Sequence, residues 1–392
     1  MKKQISVSLL VWFLAALSIF SFSLAEASVV EKDWTMLVYL NGNSDLDEFG
    51  ALNVNQMEKV GSDSGLNIVV QWASYAQKTT KRLLVTKDND PSRVTSPIVE
   101  EFPDVDMGSK KTLLDFISWT TKRYPAKKYF VVVWNHGSGW HFSGPGPMKP
   151  TDISYDDKTG NHITTEELGE VMRDAAKLIG HKIDLYGSDA CLMSMIEVAY
   201  EMNGAVEAFV GSEETEPGAG WPYDTFLREW REKKPNASAL EVGKILAEKY
   251  GEYYADEPGQ STQSVLEMAK LPKLVGAMKK LGAKLSLYPD KPRLRKEVMS
   301  AVRFFDRHYA DLGNAVGRVR GITTDPSTLA AIGEVQLSLK SLVYANVTNT
   351  KAEGLSIWWP TDVTDWSAYE ERYKGLKFNK ASGWHSFLGT FY

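Results

Sequence analysis

Two apolar runs of strand length, joined by a single helix, constrain the fold of this chain more than any other feature. They are residues 129–134 and 183–186. Between them lie a loop rich in Gly, Pro and Asp at 141–162 and a helical pattern at 164–179. A strand, a crossover helix and a second strand form a right-handed unit whose parallel strands are usually neighbours. The sequence therefore predicts an α/β fold built on a mostly parallel sheet.

Each of these two strands is followed by a residue that can take part in covalent chemistry. Cys191, the one cysteine of the chain, follows the second strand, and His136 and Gly137 follow the first. A lone cysteine forms no internal disulfide and no multi-cysteine metal site, although a buried free thiol acting as a small apolar residue is an alternative. Because parallel strands end at the same edge of a sheet, we expect the imidazole and the thiol to lie side by side. A base beside a thiol is the minimum arrangement for nucleophilic catalysis by cysteine.

The position of Cys191 carries a second expectation, about its ionisation. The thiol precedes the helical pattern at 192–200. A helix N-terminus stabilises a negative charge and lowers the pKa of a nearby thiol. The sequence therefore predicts that Cys191 lies at a helix N-terminus and that its thiolate is favoured.

His136 differs from the other five histidines in its setting. It alone combines the end of a predicted strand with a neighbouring glycine, whose N–H is accessible to a substrate. His141, in the loop that follows, is the nearest alternative base. The remaining four lie near helix ends or late in the chain: His162, His181, His308 and His385.

Four stretches of the sequence resemble the clostripain family of cysteine peptidases, within the caspase-like clan: residues 34–47, 135–137, 189–193 and 354–360. The resemblance is dense from 34 to 226 and sparser afterwards. It implies a caspase-like three-layer α-β-α sandwich with a mostly parallel sheet, followed by a mainly helical C-terminal region. It also implies hydrolysis of protein or peptide substrates by a cysteine endopeptidase.

With the resemblance in view, the residues predict amide hydrolysis through a thioester. The Cys191 sulfur attacks the scissile carbonyl, the backbone N–H groups of Gly137 and Cys191 hold the oxyanion, and His136 protonates the departing amine. Sequence alone assigns no third residue to orient His136, and a dyad is usual in caspase-type relatives. Two other classes of function stay open. One is a different acyl-transfer enzyme, such as a transpeptidase or amidase, and the other is an inactive surface binding protein.

Acidic residues near the predicted site bear on the substrate. Clostripain-like enzymes prefer Arg or Lys before the cleaved bond, and the resemblance puts Asp189 at a position suited to binding that side chain. The alternative is that Asp189 caps the helix predicted after Cys191. Glu213 and Glu214, after the next predicted strand, are further candidates for the same wall, and Asp224 is a weaker one.

No metal site is assigned from the sequence. The oxygen-rich runs at 41–47 and 156–160 do not satisfy the EF-hand pattern, and Asx turns account for both. The expected chemistry requires no cofactor. Because some clostripain relatives need calcium, Ca²⁺ stays open as an alternative.

Local patterns outside the central unit predict further strands and helices. Predicted strands cover residues 34–40, 67–72, 82–86 and 208–211, and predicted helices cover 45–60 and 112–121. Residues from 225 to 346 read as mostly helical with one strand at 262–268, and a last strand is predicted at 354–359. The chain accordingly divides into a signal peptide, a caspase-like α/β core, a mainly helical region, and a final core strand with an aromatic-rich tail: 1–27, 28–224, 225–350 and 351–392.

The N-terminus and the overall charge indicate where the protein acts and on what. Residues 1–27 combine a basic start, an apolar segment and a small-x-small ending, as in a signal peptide. We expect a secreted, periplasmic or cell-surface protein. An uncleaved anchor is the alternative, because the apolar segment approaches membrane-spanning length. The formal net charge of −5 argues against nucleic acid as a partner, and a monomer is expected.

Overall fold

A computed structural model describes residues 30–141, 152–257 and 261–392, and a nine-stranded sheet forms its centre. The predicted signal peptide lies outside the described residues, as does much of the loop after His141. The strands are β1 Lys32–Gly42, β2 Leu66–Ser74, β3 Thr79–Leu84, β4 Ile98–Pro103, β5 Ala126–Trp134, β6 Ile153–Asp156, β7 Asn161–Ile163, β8 Ile183–Asp189, β9 Val206–Gly211, β10 Thr262–Glu267, β11 Tyr309–Asp311, β12 Val343–Thr348 and β13 Ser356–Trp358.

Helices surround this sheet and make up most of the C-terminal region. They are α1 Asp47–Glu58, α2 Lys110–Arg123, α3 Thr165–Ile179, α4 Ile196–Glu201, α5 Tyr223–Arg228, α6 Ala239–Tyr253, α7 Leu271–Ser286, α8 Lys291–Met299, α9 Leu312–Arg320, α10 Pro326–Leu342, α11 Val363–Gly375, α12 Lys377–Ser382 and α13 Trp384–Leu388. Within the described ranges, no helix is both long and apolar enough to cross a bilayer.

The sheet has the strand order β12-β10-β9-β8-β5-β1-β2-β3-β4. Its five central strands, from β9 to β2, run parallel, and the two strands at each edge are antiparallel to their neighbours. Two small sheets, β6–β7 and β11–β13, complete the described strands. The predicted mostly parallel sheet is confirmed.

Side chains of β1 alternate between two separate hydrophobic cores, one on each face of the sheet. Leu37 and Tyr39 enter the core formed with α2, α3, α4 and the C-terminal helices. Met36, Val38 and Leu40 enter the core formed with α1, α5 and α6. Burial on both faces explains why the central strands read as continuous apolar runs. These three layers confirm the α-β-α sandwich.

The two strands predicted at residues 129–134 and 183–186 are neighbours in the sheet. β5 and β8 pair in parallel, and their last paired residues are Trp134 and Asp189. The chain continues from each strand by two residues to His136 and Cys191 respectively. This register carries the two residues to the same edge of the sheet, as the sequence predicts.

The helix predicted immediately after Cys191 is wrong at its start, because α4 begins only at Ile196. Leu192 has a φ of +64°, a left-handed conformation that an α-helix does not contain. Its N–H donates to the Glu214 carbonyl, and the N–H of Ser194 donates to the Ser212 carbonyl. The segment after Cys191 therefore pairs with the segment after β9 in place of forming a helical turn.

Other differences lie at the sheet edges and in the loops. β4 escapes prediction because its sequence, Ile98–Pro103, is acidic and none of its residues is fully buried. β12 and the β6–β7 hairpin also lie in segments predicted as helix or loop. The strand predicted at 354–359 exists as β13, but it pairs with β11 in a separate sheet. Edge strands and hairpins are not buried on both faces of the sheet. They therefore lack the continuous apolar run by which a central strand is predicted from sequence.

Candidate active site

A cavity of about 250 Å³ opens at the C-terminal ends of β5 and β8. His136, Asp189 and Cys191 line it together, with residues 215–218 forming part of the opposite wall. A parallel sheet places its ligand sites at this edge, outside the carboxyl ends of the strands. The structure thus brings three of the residues singled out from sequence around one cavity.

Gly137 brings the histidine segment directly against the cysteine segment. A Cβ at this position would lie 2.5 Å from the carbonyl oxygen of Cys191 and 3.0 Å from the Cβ of Ala190. Real Cβ atoms do not approach backbone so closely, so only glycine fits. The N–H groups of Gly137 and Cys191 donate no hydrogen bond to the described backbone.

His136 has a carboxylate partner that the sequence did not reveal. Its Nε2 lies 2.6 Å from Oδ1 of Asp45, in the loop between β1 and α1. Asp45 is 79% exposed, so the pair is solvated and adds little to stability. The contact nevertheless orients the imidazole ring of His136. It involves Nε2, so Nδ1 is the ring nitrogen that is not bound to Asp45. The sheet topology could have revealed Asp45 as a partner of His136, because β1 pairs with β5 and both strands end at this edge.

Cys191 is half-buried and is held by the backbone of Glu216. The N–H of Glu216 donates to Sγ at 3.2 Å. Burial, together with the nearby carboxylates of Glu216 and Glu214, raises the pKa of the Cys191 thiol to about 12, against the opposing effect of that hydrogen bond. The expectation of a favoured thiolate is therefore wrong for this conformation. Its assumed cause is absent, because the helix begins at Ile196 and not at the thiol.

A pair of buried carboxyl groups lies at the base of the cavity. Asp189 accepts hydrogen bonds from the Tyr223 hydroxyl at 2.8 Å and from the Trp221 N–H at 3.3 Å, so it does not cap a helix. Burial raises the pKa of Asp189 to about 7. Burial and the facing Asp189 raise the pKa of Glu216 well above its usual value. Two carboxyl groups so close cannot both ionise easily, so they retain a proton between them near neutral pH.

The remaining acidic candidates lie outside this cavity. Glu213 accepts from the Gly354 N–H at 2.9 Å and is not among the described residues that line this cavity. Glu214 lines a neighbouring cavity, and Asp224 forms an ion pair with Lys59 at 2.9 Å. Sequence reasoning missed Glu216, three residues beyond Glu213. Loop conformation, which periodicity does not report, decides which of these carboxyls reaches the cavity.

None of the other histidines lines this cavity. His141 is buried and stacks on Tyr369, with ring centroids 4.1 Å apart, and burial lowers its pKa well below the usual value. His181 is exposed and its Nδ1 lies 2.7 Å from the Lys182 carbonyl. His162 precedes α3, whose first turn carries a capping box between Thr164 and Glu167.

The oxygen-rich runs of the sequence satisfy one another by hydrogen bonding. Asp156 accepts from the side chain of Asn43 and from the backbone N–H of Met107, both at 2.9 Å. Among the residues that the structure describes, no three His, Cys, Asp or Glu side chains are grouped so as to hold a metal ion. Asx turns therefore account for the described geometry of both runs.

The sheet, the two cores and this cavity define a caspase-like α/β protein with a cysteine and a histidine at the strand ends. A family model described as the clostripain family matches residues 38–391. The chain belongs to the clostripain family, the C11 cysteine peptidases.

Individual relatives are more distant. Clostripain of Hathewaya histolytica is 27% identical over 170 residues, which are 36% of this chain and 29% of that protein. The matched region thus spans less than a third of that relative's length. A secreted C11 cysteine protease from Bacteroides thetaiotaomicron, solved with an irreversible peptide inhibitor, is 20% identical with a TM-score of 0.68. An inactive zymogen C11 protease from Parabacteroides distasonis is 21% identical with a TM-score of 0.69. Each comparison covers 90% of this chain and 99% of the other, and at this identity both support the fold alone.

Proposed function

We propose that this protein is a secreted cysteine endopeptidase that cleaves peptide bonds after Arg or Lys, with Cys191 as nucleophile and His136 as base. The observation that carries the proposal is the register of β5 and β8, in which Trp134 pairs with Asp189. From that pair, His136 and Cys191 extend equally far to line one cavity with Asp189. Family membership and the peptide inhibitor bound to a neighbour of the same fold support a peptide substrate.

The proposed reaction begins with a protonated thiol. Asp45 accepts from Nε2 of His136, which favours the tautomer whose Nδ1 lone pair can take the thiol proton as sulfur attacks the carbonyl carbon. The N–H groups of Gly137 and Cys191 stabilise the oxyanion. The C–N bond then breaks, and His136 returns the proton to the leaving amine, which yields a thioester. Water attacks the thioester, its proton passes through His136, and the thiol is released without any cofactor.

Because the pKa of Cys191 is raised, the proton transfer to His136 has to accompany the attack. A thiol that already existed as thiolate would need no base for this step. His136 is therefore required for formation of the thioester as well as for its hydrolysis.

The proposed specificity rests on Asp189 and Glu216. These carboxyls share the base of the cavity, and no Lys or Arg is among the described residues that line it. A guanidinium entering the cavity would release the retained proton and form charge-assisted hydrogen bonds with the ionised pair. Arginine should be preferred over lysine, because its planar fork can bind a carboxylate with two parallel hydrogen bonds.

Secretion and a monomeric state complete the proposal. The signal-peptide pattern of residues 1–27 supports export, and a neighbour of the same fold is described as secreted. Export is tested by measuring peptidase activity in the culture medium of cells that carry the intact gene. This activity should be lost from the medium when residues 1–27 are deleted. Light scattering of the purified enzyme would test the monomer.

The activity itself is tested with fluorogenic peptides that differ only at the P1 residue. The wild type should hydrolyse Arg and Lys substrates, while Cys191→Ala and His136→Ala should each reduce turnover at least a thousandfold without loss of folding. His181→Ala is the matched control, since that histidine is exposed and lies outside the cavity. Unchanged hydrolysis after either active-site substitution would exclude the proposed dyad.

A further inference from the structure

A second cavity adjoins the catalytic cavity and shares part of its wall. It has a volume of about 470 Å³, and residues 215–217 separate it from the space beside Cys191. Tyr250 of α6 and Tyr254 immediately after that helix contribute to its lining, and the segment before β11 contributes Phe304 and Phe305. A peptide lying across the thiol would pass this cavity within a few residues, because an extended chain advances about 3.3 Å per residue.

The hydroxyl of Tyr250, in this lining, has no hydrogen-bond partner among the residues that the structure describes. Tyr250 is 1% exposed, and its buried hydroxyl makes no hydrogen bond in the described part of the chain. Buried polar groups are nearly always hydrogen-bonded, and an unsatisfied one is unfavourable. Burial and the nearby Glu216 carboxylate raise the pKa of Tyr250, so the phenol stays neutral and can both accept and donate. A ligand in the cavity would supply the missing hydrogen bond.

The charge of the cavity indicates what that ligand is. Glu214, Glu216 and Glu257 line it, and no Lys or Arg is among the described residues of the lining. Phe305 is 52% exposed, and together with the tyrosine rings it provides apolar faces. Carboxylates combined with aromatic faces are suited to a guanidinium or ammonium group, which gains both charge-assisted hydrogen bonds and cation–π attraction.

We propose that this second cavity binds a second basic side chain of the same peptide substrate, at a position other than P1. The proposal rests on the proposed function, since it assumes that a peptide lies across Cys191. It predicts an enzyme selective for substrates that carry two basic residues at a fixed separation. Tyr250 and the acidic lining would then determine specificity without touching the reacting atoms.

The test is an arginine scan of internally quenched peptides. Each peptide carries Arg at P1 and one further Arg at a single position from P4 to P3′, and a matched set carries citrulline, which has nearly the same shape without the charge. One position of the second Arg should raise kcat/KM about tenfold through KM, and citrulline there should not. Tyr250→Phe and Glu257→Gln should each reduce that gain severalfold, while the peptide with Arg at P1 alone is cleaved as before.

Binding of the same peptides to Cys191→Ala separates this proposal from the proposed hydrolysis. If the wild type cleaves none of them but one arginine position strengthens binding and the two variants abolish the gain, the cavity assignment stands and the hydrolysis does not. If every position gives equal cleavage and equal binding, or if the gain persists in both variants, the second cavity does not select a basic side chain. Glu257 is exposed, so Glu257→Gln remains informative even if Tyr250→Phe alters folding.

Discussion

Two pairs of buried carboxyl groups each take one member from residues 213–216, and the pair formed by Asp189 and Glu216 lines a cavity. Glu216 faces Asp189 at the base of the catalytic cavity, whereas Glu213 faces Asp311 in the interior. Burial raises the pKa of the acids in both pairs. The pairs differ in what else binds to their oxygens, and that difference separates a structural site from a candidate binding site.

The interior pair is closed by backbone donors. Glu213 accepts from the N–H of Gly354 at 2.9 Å. Asp311 accepts from the N–H groups of Asn314 and Glu353, both at 2.6 Å. These bonds tie the segment after β9 to β11 and to the residues before β13. Glu213 and Asp311 are both fully buried, and neither lines the cavity beside Cys191.

Longer hydrogen bonds hold the pair at the cavity. Asp189 accepts from the Tyr223 hydroxyl at 2.8 Å and from the Trp221 N–H at 3.3 Å, and Glu216 accepts from the Gln263 side chain at 3.5 Å. Proximity of two acids alone does not make a binding site, because Glu213 and Asp311 also form a buried pair. The open cavity beside Asp189 and Glu216 distinguishes the pair that a cationic side chain can complete.

Among the changes that compare the two carboxyl pairs, removing the charge at Asp189 should have the largest effect on activity. Asp189→Asn keeps the shape but loses the charge-assisted hydrogen bonds, which contribute about 1.5–3 kcal/mol, so kcat/KM for Arg substrates should fall roughly ten- to a hundredfold. Asp311→Asn, the matched change in the closed pair, should leave the preference for Arg at P1 intact. Kinetics with Arg and norleucine at P1 would check both. Equal losses for the two variants would mean that the open pair is not the specificity site.

The pH dependence of specificity should show a smaller effect of the same pair. The pKa of Asp189 is raised to about 7, so the carboxyl becomes ionised, and able to bind a cation, as the pH rises through 7. The ratio of kcat/KM for Arg to that for norleucine should therefore increase up to about tenfold per unit on the acid side of 7. Taking the ratio cancels any pH dependence of the catalytic step that both substrates share. A ratio that stays flat between pH 5.5 and 8.5 would exclude titration of the pair.

Asp45 differs from both buried carboxyl pairs, because it is an exposed carboxylate whose partner, His136, lines the cavity beside Cys191. Asp45→Asn should reduce kcat about two- to fivefold, the effect of a solvated ion pair of roughly 0.5–1 kcal/mol, and should leave KM unchanged. Such a split is expected of a residue that positions His136 and does not contact substrate. A changed KM with kcat intact would instead assign Asp45 to substrate binding.

The sequence allowed the shared sheet edge of His136 and Cys191 to be predicted, because the strands and the helix that place them there are consecutive in the chain. Apolar runs buried on both faces identify the central strands, and the connecting helix makes β5 and β8 parallel neighbours, so His136 and Cys191 must meet. The start of α4 was not predictable in this way. Leu192 and Ser194 bond to residues beyond β9, and such long-range pairing leaves no periodic trace in the sequence.

The carboxyl pairs show the same limit more sharply. Glu213, Glu214 and Glu216 are nearly adjacent in sequence, yet their side chains lie in three different places. Glu213 belongs to the interior pair, Glu214 lines the neighbouring cavity, and Glu216 lines the cavity beside Cys191. Composition marks the segment as acidic but does not assign the three orientations. Those depend on partners such as Asp311, which is distant in the chain and comes close only in the folded state.

The closed pair should have the smallest effect on activity, and it is tested through its effect on stability. The folded protein raises the pKa of Glu213 well above that of an unfolded glutamate, so the stability the pair provides is present at low pH and is lost as the pH rises. In Glu213→Gln the amide can donate permanently to Asp311 while its carbonyl accepts from the Gly354 N–H. The variant should match wild type at pH 5 and exceed it by about 1–2 kcal/mol at pH 8, measured by urea unfolding. Its preference for Arg at P1 should not change. A variant less stable than wild type at both pH values would show that the interior pair is not held by a shared proton.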